Sequence, residues 1–473
     1  MAGAVLQTSG LQDKTPAPTT RPPHPSLRPR PVTPAPDTIP PPAPFQPLEL
    51  TAEFDYALDR FESGDHLFLT GRAGTGKSTL LRLLRATTRR KLAVLAPTGV
   101  AALNVRGQTL HSFFSWPGKL LRPTDVKRSR KKRLYERLDT LVIDEVSMVR
   151  ADLLDRVDEF LRLNRDAPDE PFGGVQVMLI GDLFQLPPVV ASTGERSLFE
   201  GEHAQYPSPH FFDAHVWRET ELEMIELNRV FRQKARQFVR LLDAVREGHF
   251  DEDDLEDLNR RVVSEAEYGD APAITLTATN RLADAINQRA LAQLTAPPQR
   301  YVGTLSGNFD TRNLPTDLAL ALKPGAQVMF VRNDPEKRFV NGSIGQVLET
   351  DAERVVVRLE EDGKVRDVEV QQETWENIRY GLDERTGAII EDVTGSFQQY
   401  PLKLAWAITI HKSQGKTFER MQLDLGRGAF EHGQTYVALS RCRTLDGIRL
   451  VRPLRERDIL VDERVGDWYN SRR

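Results

Sequence analysis

The stretch HLFLTGRAGTGKSTLLRLLRATT, residues 66–88, decides the fold. It begins with an apolar run that predicts a β-strand, continues through a glycine-rich loop, and ends with the apolar spacing of a helix. Strand, loop and helix in this order begin a parallel α/β sheet. Three further apolar runs, KLAVLAP, DTLVIDE and VQVMLIGD, each end in polar residues or a turn. Parallel sheets bind ligands at the carboxyl ends of their strands, so we expect the chemistry at that edge.

The glycine-rich loop GRAGTGKST, residues 71–79, matches the phosphate-binding pattern G-x-x-x-x-G-K-[ST]. Its backbone amides and the start of the following helix are suited to phosphate oxygens, Lys77 to the terminal phosphates and Ser78 to Mg²⁺. The alternative, a glycine-rich turn that matches by chance, is disfavoured by the strand and helix on either side. The predicted nucleotide-binding residues are Gly71, Ala73, Gly74, Thr75, Gly76, Lys77, Ser78 and Thr79.

Two carboxylates follow the strand in LVIDEVSM. Asp144 is predicted to hold Mg²⁺, and Glu145 to orient and deprotonate the attacking water. Gln185 follows the next strand in MLIGDLFQLPPV. A neutral amide near the terminal phosphate can report on hydrolysis, so Gln185 is a candidate sensor, with an ordinary polar turn as the alternative.

Two arginines are candidates for stabilising charge in the transition state. Arg232 lies in ELNRVFRQ and Arg441 in TYVALSRCR, and each segment is predicted to form a helix near a strand end. Arginines that reach a terminal phosphate from another domain make hydrolysis depend on domain closure. We expect Arg229 and Arg443 to be structural or to face DNA, because most arginines form surface ion pairs.

Two segments have the composition of a DNA-binding surface. APTGVAALNVRGQTLHSFF has small residues at a strand end that allow close approach to a sugar-phosphate backbone, and aromatic residues that could stack on bases. For those aromatic residues, core packing is an equal alternative. ITIHKSQG combines a histidine and a lysine with two hydrogen-bonding side chains. The predicted DNA contacts are Pro97, Thr98, His111, Phe113, His411, Lys412 and Ser413.

Composition limits the remaining classes of protein. The chain has 473 residues, 39% of them hydrophobic, and no apolar run near the roughly 20 residues of a membrane-spanning helix. Its single cysteine, Cys442, excludes an internal disulfide framework. The amino terminus lacks the pattern of a secretory signal, so we expect a cytoplasmic protein without a membrane span. The net charge of −4 decides little, because DNA responds to local clusters.

The chain divides by composition. Residues 1–48 hold nearly half of the prolines and predict a disordered tail. The segment at about 115–138 is strongly basic. Two interpretations of equal weight are a contact with phosphate and a solvated helix face. Residues 301–399 contain short alternating strands with Asn-Gly and Asp-Gly turns, which predict a small β-barrel. The predicted α/β portions are 49–220 for the first, and 221–300 with 400–473 for the second.

Taken in order, GRAGTGKST, APTGVAAL, GQTLHSFF, IDEVSM, FGGVQVMLIGDLFQLPPV, LNRVFRQ, TIHKSQGKTF and YVALSRC resemble the motif series of the petite-integration-frequency helicase family. The resemblance covers about residues 48–453. It implies two RecA-like motor domains, an inserted Src-homology-3-like barrel, a wedge at the basic segment, and ATP-driven movement from 5′ to 3′ on single-stranded DNA. It also implies forked or structured DNA as substrate, Mg²⁺ as cofactor, and a monomer. It places Lys77, Ser78, Asp144, Glu145, Gln185, Arg232 and Arg441 at the nucleotide, and Thr98, His111, His411, Lys412 and Ser413 in motifs that grip DNA.

One departure concerns the nucleotide base. Many relatives carry a glutamine upstream of the phosphate loop that reads adenine, whereas this sequence has Glu53 and Phe54 in that region. The prediction of strict ATP preference is weaker for that reason. Two other functions stay open from the sequence. One is a DNA-stimulated translocase that does not unwind; the other is a protein that uses ATP occupancy as a binding switch.

Overall fold

The computed structural model describes residues 51–269, 272–311, 314–361 and 364–472. The predicted proline-rich tail, residues 1–48, lies outside these ranges. Among the described residues, none of the helices combines the length and the apolar character needed to cross a membrane.

The first α/β portion is built on a parallel sheet. Its strands are β1 (His66–Gly71), β2 (Leu92–Ala96), β3 (Gln108–Thr109), β4 (Thr140–Ile143), β5 (Gln176–Ile180) and β6 (Leu222–Leu227). They lie in the order β3-β2-β4-β5-β1-β6. The helices are α1 (Ala52–Ser63), α2 (Lys77–Thr87), α3 (Gly99–Asn104), α4 (Leu110–Phe113), α5 (Lys132–Glu136), α6 (Ala151–Arg165), α7 (Thr193–Arg196) and α8 (His215–Glu219). The central strands are almost entirely buried, as apolar runs of this kind predict.

Strand β6 corrects the predicted boundary after residue 220. The sequence assigned this segment to the second α/β portion, but β6 pairs in parallel with β1, from His66 opposite Leu222 to Gly71 opposite Leu227. A short strand after a helix fits either sheet by its local pattern. Only the pairing with a strand far away in the sequence decides between them.

The second α/β portion begins after β6. Its first elements are α9 (Arg236–Glu247), α10 (Glu252–Asn259), α11 (Glu265–Tyr268), β7 (Ile274–Thr277) and α12 (Asn280–Gln293). Helix α12 is capped at its amino end by Thr279, whose side chain accepts a hydrogen bond from the backbone amide of Leu282.

An antiparallel β portion follows α12. Its strands are β8 (Gln299–Val302), β9 (Thr304–Gly307), β10 (Ala319–Leu322), β11 (Gln327–Phe330), β12 (Ile344–Thr350), β13 (Val355–Glu361), β14 (Lys364–Val370), β15 (Glu373–Leu382), β16 (Ile389–Gln399) and β17 (Leu402–Leu404). They form sheets in the orders β14-β13-β12-β11-β17, β15-β16-β9 and β10-β8. The Asn-Gly pair at 341–342 lies in the long connection from β11 to β12, and the predicted Asp-Gly turn at 362–363 lies outside the described residues.

The chain then returns to the second α/β portion. The remaining elements are β18 (Ala407–Thr409), α13 (Ile410–Ser413), β19 (Met421–Asp424), α14 (Gln434–Leu439), β20 (Ile448–Leu450) and α15 (Glu463–Asn470). The parallel sheet has the order β18-β7-β19-β20. The sequence placed its return at residues 400–402, but β17 pairs antiparallel with β11, Leu404 opposite Val328, so the sheet resumes only at β18. The local apolar pattern runs on through both strands, which is why the sequence hides this boundary.

Two apolar cores hold these portions together. One runs through both α/β portions, and the other lies inside the antiparallel portion. The hairpin of β15 and β16 also packs on the first α/β portion through Tyr380, whose hydroxyl accepts a hydrogen bond from the amide of Val94 at 3.0 Å. The Tyr380 ring lies edge-on to Phe113, 5.8 Å between centroids. The two α/β portions and the antiparallel portion are therefore packed into one compact unit of the described chain.

Candidate nucleotide site and DNA-facing surface

The phosphate loop lies between β1 and α2, as the sequence predicts. Gly74 and Gly76 have φ of 85° and 94°, in the left-handed region that favours glycine. A Cβ on Gly74 would lie 2.6 Å from Cβ of Arg232, and one on Gly76 would lie 2.8 Å from Cζ of Phe54. Both glycines are therefore required by close packing as well as by backbone conformation.

The other predicted loop residues lie around this turn. Gly71 ends β1, and the Thr75 hydroxyl donates to the carbonyl oxygen of Arg72 at 3.0 Å. Ser78 and Thr79 are in the first turn of α2, where Ser78 is exposed. The side chain of Ser78 is thus free of core packing at the end of the helix that favours anions.

Lys77 folds back onto the loop. Its Nζ donates to the carbonyl oxygens of Gly71 at 2.6 Å and Arg72 at 3.0 Å. Burial lowers the pKa of Lys77, while the charges of Asp182 and Glu145 act in the opposite direction. The ammonium group can exchange these neutral carbonyls for phosphate oxygens, which are stronger acceptors because they are charged.

Asp144 and Glu145 follow β4 directly. Asp144 is 7% exposed, and burial together with the neighbouring Glu145 raises its pKa to about 7. Burial also raises the pKa of Glu145, against the charges of Lys77 and Arg441. Glu145 has φ 52° and ψ 43°, a backbone conformation that non-glycine residues seldom adopt outside turns and functional sites. Asp144 is thus buried and Glu145 partly buried, and the backbone of Glu145 is held in an unusual conformation.

Arg232 and Arg441 meet at the loop although they are far apart in the sequence. Nη1 of Arg232 donates to the carbonyl oxygen of Ser440 at 3.0 Å, and Nη2 of Arg441 donates to Oγ of the same serine at 2.8 Å. Burial and Arg441 lower the pKa of Arg232 to about 9, and burial lowers the pKa of Arg441. Neither guanidinium forms an ion pair with any carboxylate in the described chain. One buried and one partly buried cation without an ion-pair partner beside a phosphate loop form a site for an anion.

Gln185 belongs to a buried hydrogen-bond network centred on Asp182. Nε2 of Gln185 donates to Oδ2 of Asp182 at 3.1 Å, and the Tyr436 hydroxyl donates to the same oxygen at 3.1 Å. Arg246 donates through Nη2 to Oδ1 at 3.1 Å. Burial alone would raise the pKa of Asp182, but Arg246 and Lys77 hold it below its ordinary value. Asp182 is therefore a fixed negative charge within the site.

The acids present fit Mg²⁺ that arrives with a nucleotide. Ser78 and Asp144 offer hard oxygen ligands, which Mg²⁺ prefers. In the ranges that the structure describes, three or more His, Cys, Asp or Glu side chains do not assemble into a metal site by themselves. Mg²⁺ usually takes one or two protein ligands and completes its shell with phosphate oxygens and water. A cation there would also offset the burial of Asp144.

The first segment predicted to contact DNA contains both partly exposed and buried residues. Pro97 and Thr98 lie at the end of β2, partly exposed, and the Thr98 hydroxyl accepts from the amide of Ala101 at 3.2 Å. Burial and Arg150 lower the pKa of His111, so this side chain is neutral at pH 7. Phe113, predicted to stack on DNA, is 4% exposed and packs in an aromatic core. Its ring therefore offers no face to a base, and core packing is the correct alternative.

The second segment forms β18, α13 and the turn after it. Lys412 is exposed, and Nε2 of His411 lies 2.9 Å from a carboxylate oxygen of Glu431. The prediction for Ser413 is wrong, because this residue is fully buried and its hydroxyl donates to the carbonyl oxygen of Ile410 at 2.6 Å. A serine at the end of a helical turn commonly satisfies its hydroxyl on the preceding backbone, which a motif does not reveal.

The basic segment at 115–138 is anchored rather than free. Its apolar residues enter the core of the first α/β portion, among them Leu134 at 3% exposure. Arg128 and Lys132 both form ion pairs with Asp166 on the end of α6. Part of its positive charge is therefore neutralised by the protein itself.

Three residues of the site carry no signal in a single sequence. Tyr436 accepts a hydrogen bond from the loop amide of Ala73 at 3.0 Å, and Arg246 pairs with Asp182. The Phe231 ring is 41% exposed beside Gly76, where a flat apolar face suits a nucleobase. All three come from segments distant from the loop, so their role depends on tertiary packing.

Comparison with known proteins agrees with this geometry. The PIF1-like helicase model matches residues 52–256. The ATP-dependent DNA helicase Pif1 of Bdellovibrio bacteriovorus is 34% identical over 436 residues, which cover 90% of this chain and 92% of that protein. The chain belongs to the Pif1-like helicase family. A second Pif1-type protein, PIF1 of Xenopus laevis, is 34% identical over 85% of this chain and 61% of its own, longer length.

Solved Pif1 structures share the fold. The crystal structure of Bacteroides sp. Pif1 in complex with ADP-AlF4 has a TM-score of 0.81 and 35% identity over 89% of this chain and 96% of that one. The Bacteroides Pif1 structure bound to single-stranded DNA has a TM-score of 0.64 over 89% of this chain and 96% of its own. The arrangement of this Pif1-like chain is thus closer to the first of these structures than to the second.

Proposed function

We propose that this chain is an ATP-dependent DNA helicase that moves 5′ to 3′ along single-stranded DNA and unwinds duplex or structured DNA. The proposal of ATP hydrolysis rests on one observation. Arg232 and Arg441 come together beside the phosphate loop, and the charge of Arg441 acts on Glu145. The proposal that DNA is the substrate rests on the relatives. Two of them are named ATP-dependent DNA helicases, and the Bacteroides Pif1 structure contains single-stranded DNA. Replication, recombination or repair are the processes that such an activity would serve.

The nucleotide is held and cleaved between the two α/β portions. The loop amides and Lys77 bind the phosphates, and Glu145 orients the attacking water and accepts its proton. Arg232 and Arg441 stabilise the charge that develops on the terminal phosphate. Gln185, fixed by its bond to Asp182, senses whether that phosphate is present. A raised pKa suits Glu145 to this role, because a base works best with a pKa near the working pH.

Mg²⁺ would be held by Ser78 and Asp144 together with the phosphate oxygens. When bound, it would neutralise charge between the two outer phosphates. The protein's own residues fix the rest of the geometry.

DNA lies across both α/β portions in this proposal. Thr98 and Pro97 at the end of β2 and Lys412 with His411 on α13 provide one contact surface on each portion. Closure on ATP brings Arg441 to the phosphates and changes the distance between the two surfaces, and hydrolysis reopens the cleft. Alternating grips of this kind move the protein along the strand.

The finer architecture belongs to the same proposal. The α/β portions act as RecA-like motors, the antiparallel portion as a Src-homology-3-like barrel, and segment 115–138 as a wedge at the fork. Direct strand separation would need the exposed part of that wedge, since its apolar side is already packed in the core. A monomer and a cytoplasmic location stay predictions from the sequence.

Forked DNA tests the proposal. We expect a duplex with a single-stranded 5′ tail to be unwound with ATP, and a duplex with only a 3′ tail to stay intact. Lys77→Ala should abolish both hydrolysis and unwinding while the far-ultraviolet circular dichroism spectrum stays unchanged. Unwinding by that variant would refute the site.

The same experiment separates the alternatives. Hydrolysis that DNA stimulates, without strand separation on either fork, would indicate a translocase. Hydrolysis indifferent to DNA would favour a nucleotide-operated binding switch.

A further inference from the structure

Tyr436 joins the phosphate loop to the second α/β portion. Its phenol is 3% exposed and makes two hydrogen bonds. It accepts from the backbone amide of Ala73 in the loop at 3.0 Å and donates to Oδ2 of Asp182 at 3.1 Å. A buried phenol with one donor and one acceptor satisfied in this way is fixed in position from both sides.

The acceptor side of this bridge is itself rigid. Arg246 binds Asp182, and its guanidinium carbon lies 4.2 Å from the ring centroid of Phe184 and 5.2 Å from that of Tyr469. Its side chain has no exposed surface. A fully buried arginine that is paired with a carboxylate and packed against two aromatic rings has little freedom to move. Any displacement at the bridge therefore falls on the loop or on the helix that carries Tyr436.

An arginine of the nucleotide site, Arg441, follows two residues after the end of that helix, α14. Nε of Arg441 donates to the carbonyl oxygen of Val437, the residue that follows Tyr436, at 2.9 Å. Helix α13 packs beside α14 and holds the predicted DNA contacts His411 and Lys412. His411 pairs with Glu431 just before α14. Helix α14 thus connects the phosphate loop and Arg441 with the predicted DNA-facing turn.

We propose that Tyr436 is the positioning residue that couples the occupancy of the phosphate loop to the affinity for single-stranded DNA. The inference rests on the proposed function, since it assumes a DNA-facing surface on α13. When phosphates draw the loop amides into a new arrangement, the bond from Ala73 shifts the phenol and with it α14. The shift moves Arg441 and the DNA-facing turn together. Because coupling is reciprocal, DNA bound at α13 acts back on the loop by the same factor.

The test compares two buried tyrosines. Tyr436→Phe removes the bridge and little else, and Tyr268→Phe is the matched control. The hydroxyl of Tyr268 lies 2.9 Å from the carbonyl oxygen of Met421 and 2.8 Å from that of Gly447, within the second α/β portion and away from the loop. The dissociation constant of fluorescently labelled oligothymidylate is measured for the full chain with and without saturating ADP and aluminium fluoride.

The ratio of the two dissociation constants is the readout. In wild type we expect a ratio on the order of 5–150, the usual range of coupling between sites. In Tyr436→Phe it should fall below about 2, while Tyr268→Phe keeps the wild-type ratio. A loss of stability alone would not produce this pattern, because it would act on both measurements of each variant.

Two results would overturn the inference. A wild-type ratio retained in Tyr436→Phe would show that the bridge does not transmit occupancy, and an equal loss in Tyr268→Phe would show a general effect of a lost phenol. A failure of the proposed function looks different. In that case wild type would not bind the oligonucleotide at all, with or without nucleotide, and the inference would fail with it.

Discussion

Lys416 is a buried cation whose replacement should stabilise the chain. It lies in the turn after α13 at 9% exposure, and its Nζ donates to Oδ1 of Asn341 at 2.8 Å. Burial and the neighbouring charge of Lys403 lower its pKa to about 8, against 10.5 for an ordinary lysine. The chain therefore carries a charged group in an environment that favours the neutral form.

The size of the effect follows from this pKa. The pKa of Lys416 in the folded chain lies about 2.5 below that of an ordinary lysine. At about 1.36 kcal/mol for each pKa unit, this difference lowers the free energy of unfolding by about 3 kcal/mol below pH 8, where the folded and the unfolded chain both hold the proton. Methionine removes this cost but also the hydrogen bond to Asn341, worth about 1 kcal/mol. Lys416→Met should thus raise the free energy of unfolding by about 2 kcal/mol at pH 7. As the pH rises from 8 towards 10.5, the lysine of the folded chain loses its proton first. Wild type is then no longer destabilised by the buried charge, and the difference in stability between wild type and Lys416→Met shrinks.

Urea unfolding followed by tryptophan fluorescence measures this difference. The transition is recorded at several values between pH 7 and pH 10 for wild type, Lys416→Met and the exposed control Lys412→Met. The control should stay within about 0.5 kcal/mol of wild type, as surface substitutions usually do. A Lys416→Met chain no more stable than wild type at pH 7, or a gain that does not change with pH, would refute the reasoning.

Three further substitutions test the site. Arg441→Ala should lower kcat for ATP hydrolysis about 1000-fold, because the charge of the transition state is no longer stabilised. The control Arg443→Ala removes a side chain that is 46% exposed, and its kcat measured without DNA should stay within about twofold of wild type. Equal effects of the two substitutions would contradict the assignment. Phe113→Leu should lower the free energy of unfolding by about 1 kcal/mol and leave the dissociation constant for single-stranded DNA within about twofold, since the ring is in the core; a large loss of affinity would restore it as a DNA contact. Gly74→Ala places a Cβ on a residue with φ 85° and only 2.6 Å from Cβ of Arg232. Titration with a fluorescent ATP analogue should therefore show an affinity at least about tenfold weaker than that of wild type. Unchanged binding would mean that the loop is not held as described.

Local patterns predicted the phosphate loop and the strands around it. The run at 66–71 is a buried strand and the helix after the loop begins at Lys77, because apolar period and glycine positions act over a few residues. Asp144 and Glu145 were placed correctly at a strand end for the same reason. Both the local context and the family resemblance predicted Arg232 and Arg441 at the nucleotide, and the resemblance placed the motifs of two distant segments at one site.

Long-range pairing set the limits of the prediction. Strand β6 joins the first sheet through β1, and β17 joins the antiparallel portion through β11, although the local sequence of each fits the second sheet. Phe113 and Ser413 lie in segments predicted to bind DNA and are nevertheless buried. Tyr436 was invisible because a phenol in an apolar helix looks like core until the amide of Ala73 is found beside it. In each case the deciding partner lies far away in the sequence.

Hydrolysis of ATP with and without single-stranded DNA, in wild type and Glu145→Gln, tests the central claim most directly. The account predicts that DNA strongly stimulates hydrolysis by wild type, and that the variant binds ATP but hydrolyses it at least about 100-fold more slowly. Wild-type hydrolysis indifferent to DNA, or a variant as active as wild type, would contradict it.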